Sequence, residues 1–182
     1  NGSLDMACDL LDVAVDAGAD AVKYQTFRTE ELVERSAPRA EYQARASGIE
    51  ETQFEMLKKL ELSEADHRAL IDRAKQKGIE FLSTPFEAAS LRLLTDAFGI
   101  RKIKIPSGEI TNGPFLLEIA RRAEKIILST GMSTIDDVRE ALGVIAFGFL
   151  NAHERPSLRG CREAFSSAAG QSALQGRVTL LH

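Results

Sequence analysis

The chain has 182 residues, of which 44% are hydrophobic and 27% are charged, a composition typical of a globular protein with one sizeable core. Its net charge of -4 argues against a nucleic acid or an anionic membrane as a partner, and no apolar run approaches the ~20 residues of a membrane span. Two cysteines without metal-type spacing, Cys8 and Cys161, indicate reduced thiols and a cytoplasmic protein.

Helical and strand-like segments alternate along the chain. Segments with helical periodicity are predicted as helices: 3–18, 51–60, 63–78, 87–99, 113–123, 134–147 and 162–175. Short apolar segments are predicted as strands: 19–27, 79–86, 101–106, 125–132 and 177–181. Residues 28–50 are predicted as a long loop with helical pieces, and 147–161 as irregular. Ser63 with Asp66 is a capping-box pair, which fixes one helix start.

Five strands, each preceded by a helix, predict a parallel sheet with helices outside it. No linker divides the chain, so we expect one domain. The chain begins with a helix and stops within a strand, and we therefore expect it to be a piece of a longer protein.

The polar residues that end nearly every strand distinguish two parallel architectures. An open doubly wound sheet should carry a glycine-rich phosphate turn, and the chain contains neither GxGxxG nor GxxxxGK[ST]. Barrel enzymes instead collect their chemistry from many strand ends. We therefore predict a (β/α)8 TIM barrel, incomplete here, with about five parallel strands and with its first and last strands missing. The open sheet is the alternative.

Two lysines, Lys23 and Lys104, lie inside predicted strands. A buried ammonium needs an anionic partner or must be neutral, so two such lysines indicate one multiply charged anion, a phosphate or a carboxylate. Hydroxyl groups at the strand ends can donate to its oxygens: Ser83, Thr84, Ser107, Ser129 and Thr130. Alternatively, each lysine points outward or pairs with a carboxylate such as Glu80 or Glu109.

Other ionisable residues give weaker signals. Glu109 follows the strand at Ser-Gly and is a candidate for proton transfer or substrate binding, or else a solvated loop residue. His67 is predicted to be exposed on a charged helix face, His153 to lie in a loop, and His182 to end a strand. Because no HxxxH or HExxH motif occurs, we assign no metal ligand.

Six stretches together resemble the sialic acid synthase family, the phosphoenolpyruvate-dependent synthases of N-acetylneuraminic acid and of bacterial relatives such as legionaminic acid. They are "NGSLDMACDLLDVAVDAGADAVKYQTF", "LELSEADH", "GIEFLSTPFE", "KIPSGEITNGP", "IILSTGMSTIDDV" and "VTLLH". The resemblance implies a TIM barrel that acts as a homodimer, often with a C-terminal antifreeze-like (SAF) domain. Gly108 and the stretch 143–182 favour the neuraminic or legionaminic branch.

The resemblance also implies a reaction. Phosphoenolpyruvate condenses with N-acetylmannosamine or 2,4-diacetamido-trideoxymannose, and a divalent metal, Mn2+ or Mg2+, polarises the sugar aldehyde. Family residues that bind phosphoenolpyruvate match Lys23, Thr84, Lys104, Ser107 and Ser129. The residues expected to take part in catalysis are Gln25, Lys104 and Glu109, with Gln25 beside the reacting centre and Glu109 on the sugar, where it assists proton movement.

This sequence departs from the family pattern in several respects. The glutamate-bearing strand before "NG", the downstream metal-ligating histidines and the antifreeze-like domain are absent from residues 1–182, so we expect the isolated chain to be inactive. Two alternatives stay open. One is another phosphoenolpyruvate-condensing 3-deoxy sugar acid synthase, disfavoured because Arg28, Arg101 and Arg121 are too scattered for a second phosphate site. The other is a non-catalytic barrel that binds a phosphate ligand and has no use for Glu109.

Overall fold

The structure, a computed structural model, describes residues 2–38, 51–151 and 153–182. It divides into two compact units, Asn1–Leu82 and Ser83–His182. The first unit contains α1 (Leu4–Asp16), β1 (Ala21–Thr26), α2 (Thr29–Leu32), α3 (Gln53–Leu60), α4 (Glu64–Lys77) and the start of β2 (Glu80–Pro85). The second contains the end of β2, α5 (Ala88–Arg92), a π-helical turn (Leu93–Ala97), β3 (Lys102–Ile105), a 3-10 turn (Ser107–Glu109), α6 (Gly113–Arg122), β4 (Lys125–Ser129), α7 (Ile135–Leu150), α8 (Leu158–Ser166), α9 (Ala168–Arg177) and β5 (Val178–Leu181).

Helix α4 begins and ends at the residues that its sequence predicts. The Ser63 hydroxyl accepts a hydrogen bond from the Asp66 backbone N–H, and the Asp66 carboxylate accepts one from the Ser63 N–H, which completes the predicted capping box. Gly78 ends the helix in the left-handed region, with a φ of 72° that favours glycine. Leu70 and Ala74 are buried along one face of α4.

Helix α1 packs beside α4 in the first unit. Ala7 and Leu11, one helical turn apart, are buried, and the Arg73 guanidinium forms an ion pair with the Asp12 carboxylate. The Arg73 hydrogen bond lowers the pKa of Asp12, although burial acts in the opposite direction. The apolar contact is therefore flanked by a charged one.

The strands form one sheet in chain order, β1-β2-β3-β4-β5. The pairs from β2 to β5 are parallel, with Ile103 opposite Ile126 and Leu128 opposite Leu180. Ile103, Ile126 and Leu128 are fully buried, as expected where helices cover a parallel sheet. The predicted parallel α/β fold with five strands is confirmed, whereas closure into an eight-stranded barrel stays a prediction.

Helices α6 and α7 approach closely because small residues lie between them. A Cβ atom added to Gly148 in α7 would lie 2.6 Å from the Ala120 Cβ in α6, which is too close for two carbon atoms. Glycine is therefore required at this position by packing, since its backbone conformation is ordinary for a helix.

The stretch after α7 differs from its prediction. Residues 147–161 were expected to be irregular, but α7 continues to Leu150 and α8 begins at Leu158. The single helix predicted over 162–175 is wrong, because Ser167 interrupts it. Ser167 has an extended backbone, and its hydroxyl accepts the Gly170 N–H as the N-cap of α9. Of the loop predicted over 28–50, the part 39–50 lies outside the described residues.

Candidate anion-binding site at the carboxyl ends of the strands

Lys104 is the third of the four residues of β3 and is hydrogen-bonded to the end of β4. Its half-buried ammonium donates hydrogen bonds to Ser129 Oγ at 2.6 Å and to the Ile105 carbonyl oxygen at 2.7 Å. The register explains the first bond, since Lys104 lies opposite Ile127 and Ser129 follows two residues later on the same face of β4. These two hydrogen bonds hold the ammonium near the carboxyl ends of the two strands.

Ser107 and Gly131 bring the exits of β3 and β4 together. A Cβ atom added to Gly131 would lie 3.4 Å from Ser107 Oγ, so the Ser107 hydroxyl lies directly against the backbone of the loop that follows β4. Ser107 is half-buried and opens the 3-10 turn that follows β3. The two exits therefore place two serine hydroxyls and one ammonium on neighbouring strands, a donor set that suits the oxygens of an anion.

Glu109 is held at the end of the same turn. Asn112 Nδ2 donates a 2.8 Å hydrogen bond to Glu109 Oε2, while Asn112 Oδ1 accepts from the Phe115 backbone N–H as the N-cap of α6. The turn itself closes through a bond from the Glu109 N–H to the Pro106 carbonyl at 3.1 Å. The carboxylate is thus oriented by a residue that also starts a helix.

The loop after β4 is fixed to the last strand. The backbone N–H and the hydroxyl of Thr130 both donate to the Leu181 carbonyl oxygen, at 2.9 and 3.1 Å. Two residues later, Met132 adopts a φ of 59°, unusual for a residue with a side chain, and is fully exposed. Thr130 therefore connects the loop to β5, and Ser129 lies at the carboxyl end of β4 beside Lys104.

Thr84 lies at the carboxyl end of β2 within the second unit. It is 2% exposed, and the preceding Ser83 is fully buried opposite Ile103 of β3. Since adjacent residues of a strand point to opposite faces, Ser83 and Thr84 cannot serve the same site. The register alone does not assign either hydroxyl to an anion.

Lys23 and Gln25 lie in the first unit, two residues apart on one face of β1. Both are exposed, yet surrounding protein atoms desolvate the Lys23 ammonium and lower its pKa. The opposite face carries Tyr24, whose hydroxyl donates to the Ala7 carbonyl at 2.7 Å.

The prediction that His67 is exposed is wrong. The side chain is 1% exposed and shares the buried face of α4 with Leu70 and Ala74. Its ring nitrogens are hydrogen-bonded to Thr26 Oγ1 at 2.9 Å and to the Ser63 carbonyl oxygen at 2.8 Å. The charged residues next to His67 in the sequence led to the prediction of an exposed face. Spacing decides which residues share a helix face, and His67 is three residues from Leu70 and seven from Ala74.

The described residues contain no group of three His, Cys, Asp or Glu side chains placed to hold a metal ion. The ligands of the divalent metal that the family resemblance implies are expected outside residues 1–182, so this metal stays a prediction. None of the helices in this part of the chain is long and apolar enough to cross a membrane.

Of the predicted site residues, Lys104, Ser107 and Ser129 lie together at the exits of β3 and β4, with Glu109 on the adjoining turn. The role of each predicted residue stays a prediction. Asn112 was missed, although an Asn just before Gly-Pro is a recognisable helix N-cap, and its spacing of three residues from Glu109 was available in the sequence.

Comparison with known proteins gives one family and several relatives. The model of the NeuB family matches residues 10–182. The N,N'-diacetyllegionaminic acid synthases of Campylobacter jejuni and Legionella pneumophila are each 46% identical over 145 residues, which cover 80% of this chain and 43% and 40% of theirs. The chain thus spans about two fifths of the length of these relatives. The pseudaminic acid synthase of Campylobacter jejuni is 26% identical over 181 residues, 98% of this chain and 51% of its own.

Solved structures agree with this relationship. An N-acetylneuraminic acid synthetase from Leptospira borgpetersenii, solved in complex with citrate, superposes with a TM-score of 0.68 at 26% identity, covering 81% of this chain and 47% of that one. The spore coat polysaccharide biosynthesis protein spsE from Bacillus subtilis superposes with a TM-score of 0.60 at 31% identity, covering 81% and 38%.

Proposed function

Because the chain belongs to the NeuB family, we propose that this protein is a synthase that condenses phosphoenolpyruvate with an open-chain N-acetylated hexosamine, forming a nonulosonic acid and phosphate. The observation that carries the proposal is the hydrogen-bonded pair of Lys104 and Ser129 at the carboxyl ends of β3 and β4. An ammonium and hydroxyl donors at that end of a parallel sheet suit a small dianion. The family resemblance supplies the identity of the two reactants.

The acceptor that fits best carries two acetamido groups. The relatives at 46% identity are named for N,N'-diacetyllegionaminic acid, whereas the human N-acetylneuraminate-9-phosphate synthase is 26% identical. Phosphoenolpyruvate contains no nitrogen, so both N-acetyl groups of such a product must come from the sugar. This reasoning favours 2,4-diacetamido-trideoxymannose over N-acetylmannosamine.

Charge develops at two atoms during the reaction, the aldehyde oxygen of the sugar and C2 of phosphoenolpyruvate. C3 of phosphoenolpyruvate attacks the aldehyde carbon of the sugar, forming the new carbon–carbon bond, while the aldehyde oxygen takes up a proton. C2 becomes cationic and is captured by water, which loses a proton, and the tetrahedral adduct then releases phosphate. Lys104, Ser107 and Ser129 bind the anionic groups of phosphoenolpyruvate throughout, which orients C3 towards the aldehyde. Thr84 is assigned to the same substrate by the resemblance.

Glu109 is the proton-transfer residue of this proposal. Its carboxylate accepts a hydrogen bond from Asn112, which limits the positions that it can adopt. In its protonated form, a carboxyl group oriented in this way can deliver its proton to the aldehyde oxygen as negative charge develops there, which leaves the carboxylate. Lys23 and Gln25 are assigned to phosphoenolpyruvate and to the reacting centre by the resemblance, and their shared face on β1 is compatible with a joint role.

Three further features of the family remain part of the proposal. A divalent metal, Mn2+ or Mg2+, would polarise the aldehyde, but the described residues offer no ligand group, so no step above passes through it. Closure of the sheet into an eight-stranded barrel and assembly into a homodimer are likewise proposed from the family alone.

The direct test is phosphate release by the full-length protein, given phosphoenolpyruvate and Mn2+ with either N-acetylmannosamine or 2,4-diacetamido-trideoxymannose. We expect release with the diacetamido sugar. Glu109→Gln should abolish turnover and leave phosphoenolpyruvate binding intact, whereas Glu140→Gln on the exposed surface of α7 should change neither. Equal loss of binding and turnover in Glu109→Gln would refute its catalytic role.

If the protein releases phosphate with neither sugar, the proposed acceptors are refuted. Release with a phosphorylated aldose would then identify a 3-deoxy sugar acid synthase. Binding of phosphoenolpyruvate without release from any sugar would identify a non-catalytic barrel.

A further inference from the structure

His67 is a buried, hydrogen-bonding side chain that the proposed reaction does not use. It lies on α4 and connects that helix to Thr26, the last residue of β1, across 41 positions of sequence. Its other ring nitrogen reaches the carbonyl oxygen of Ser63, the N-cap of α4. His67 therefore connects the end of β1 to the start of α4 and can fix the conformation of Thr26.

The direction of these hydrogen bonds follows from chemistry. A carbonyl oxygen can only accept, so Nδ1 must carry the proton that it shares with Ser63. In the neutral imidazole, Nε2 is then an acceptor, and the Thr26 hydroxyl must donate to it. The Ser63 carbonyl thereby sets the tautomer of His67, and His67 sets the orientation of the Thr26 hydroxyl.

A second contact holds the chain just beyond Thr26. The backbone N–H and the hydroxyl of Thr29 both donate to Glu61 Oε2, at 3.1 and 2.8 Å. Burial alone would raise the pKa of Glu61, but these bonds and the Lys58 ammonium outweigh it, and the pKa is lowered. The segment that ends β1 is therefore fixed at Thr26 by His67 of α4 and at Thr29 by Glu61, which lies just before α4.

The strand end fixed in this way carries two of the predicted site residues. Gln25 immediately precedes Thr26, and Lys23 lies two residues before Gln25 on the same face of β1. Because alternate residues of a strand point to opposite faces, a rotation of the backbone at Thr26 turns the Gln25 side chain with it. On the opposite face of β1, the hydrogen bond from the Tyr24 hydroxyl to the Ala7 carbonyl connects the strand to α1.

From this arrangement we infer that His67 is a positioning residue, which acts through Thr26 to orient Gln25 and Lys23 towards the anionic substrate. The inference rests on the proposed function for its catalytic consequence. The hydrogen-bond chain of Ser63, His67 and Thr26 is an observation of the structure and does not depend on that function.

The kinetic experiment compares two substitutions at Thr26 in the full-length protein. Thr26→Val removes the hydroxyl at nearly constant volume, and we expect a roughly tenfold loss in kcat/KM for phosphoenolpyruvate, the scale of one lost buried hydrogen bond. Thr26→Ser keeps the donor and should restore most of the activity. His153→Gln, at an exposed histidine, is the matched control and should behave as wild type.

A structural role alone would lower the melting temperature without changing the kinetics at 25 °C. We therefore expect Thr26→Val to raise KM for phosphoenolpyruvate while KM for the sugar stays within twofold. Unchanged kinetics in Thr26→Val would overturn the inference.

NMR of the wild-type protein and the variants gives a readout that does not need activity. We expect the ring of His67 to carry its proton on Nδ1, and Thr26→Val to shift the backbone resonances of Lys23 and Gln25. A proton on Nε2 alone, or unshifted Lys23 and Gln25, would overturn the positioning role. If Thr26→Val does not fold, the wild-type tautomer and His67→Gln, which retains an acceptor for Thr26, decide the question. Failure of phosphate release with all sugars would refute only the proposed function.

Discussion

The ammonium of Lys104 and the hydroxyl of Ser129 are joined by a 2.6 Å hydrogen bond across two parallel strands. Each residue lies close to the end of its strand, and the register places them on the same face of the sheet. The bond restricts a long, flexible side chain to one region, so that part of the entropy of ordering the lysine is lost before a ligand binds. A preorganised cation of this kind should contribute to affinity for an anion.

Replacement of the lysine tests this contribution. Lys104→Met should raise KM for phosphoenolpyruvate by about tenfold to a hundredfold, the equivalent of ~1.5–3 kcal/mol for a hydrogen bond to a charged group. Ser129→Ala should have a smaller effect in the same direction, because the ammonium remains but is less restricted. Lys125→Met, at the exposed amino end of β4, is the control. Equal effects of Lys104→Met and Lys125→Met would show that overall charge, and no specific site, determines binding.

Asn112 separates helix capping from orientation of the carboxylate. Asn112→Asp retains an N-cap acceptor for Phe115 but replaces the donor to Glu109 with a second negative charge. We expect near-normal thermal stability and a marked fall in kcat. Asn112→Ala should lower both, with a loss of ~1 kcal/mol in unfolding free energy from the missing cap. Thermal melts and steady-state kinetics on the same samples distinguish the two effects, and unaltered kcat in Asn112→Asp would contradict the orienting role.

Two glycines allow a paired test of helix packing. Gly148→Ala should destabilise the protein by ~1–3 kcal/mol, because the new methyl group would overlap Ala120. Gly176→Ala in α9 meets nothing within 4 Å and should stabilise by up to ~1 kcal/mol through higher helix propensity. Urea denaturation measures both free energies. A stabilising Gly148→Ala would show that α6 and α7 can separate without cost.

The partly buried hydroxyl of Tyr24 predicts a dependence of stability on alkaline pH. Burial raises the pKa of Tyr24 from 10.0 to about 12, so the folded state retains a proton that the unfolded chain has already lost between these values. Stability is therefore complete below pH 10 and falls as the pH rises towards 12, by ~1 kcal/mol because solvent screens this partly exposed group. Tyr24→Phe should be less stable at pH 8, where its bond to Ala7 is missing, but should lose less on going to pH 11. Chemical denaturation at both pH values measures the difference, and parallel pH profiles would refute it.

The sequence predicted the strands and several helix starts because their signals are local. The capping box of Thr134 with Asp137 starts α7 as expected from residues three apart. The strands were recognisable because buried parallel strands are short apolar runs, as in β3 and β4. Most of their ends were predicted one to three residues too long, since a strand ends where its partner ceases to pair, but the start of β4 and the end of β5 were predicted correctly.

The remaining features depend on partners distant in sequence. The burial of His67 depends on Thr26, 41 positions away, which no pattern within α4 reveals. The contact between Ser107 and Gly131 likewise needs the register of β3 and β4. The division between α8 and α9 at Ser167 was missed because its run of small residues carries a weak apolar period and several equally plausible caps.

Adjacent residues of β3 lie on opposite faces of the sheet, and natural variants at these residues should therefore have different consequences. Ile103 and Ile105 are completely buried, whereas Lys104 between them faces the opposite side of the sheet. Alleles altered at the two isoleucines should disappear from cells because the protein is degraded. Alleles altered at the lysine should instead accumulate to normal abundance as inert protein. In one pooled library, abundance should therefore fall at codons 103 and 105 and stay normal at codon 104, whereas activity should fall at all three.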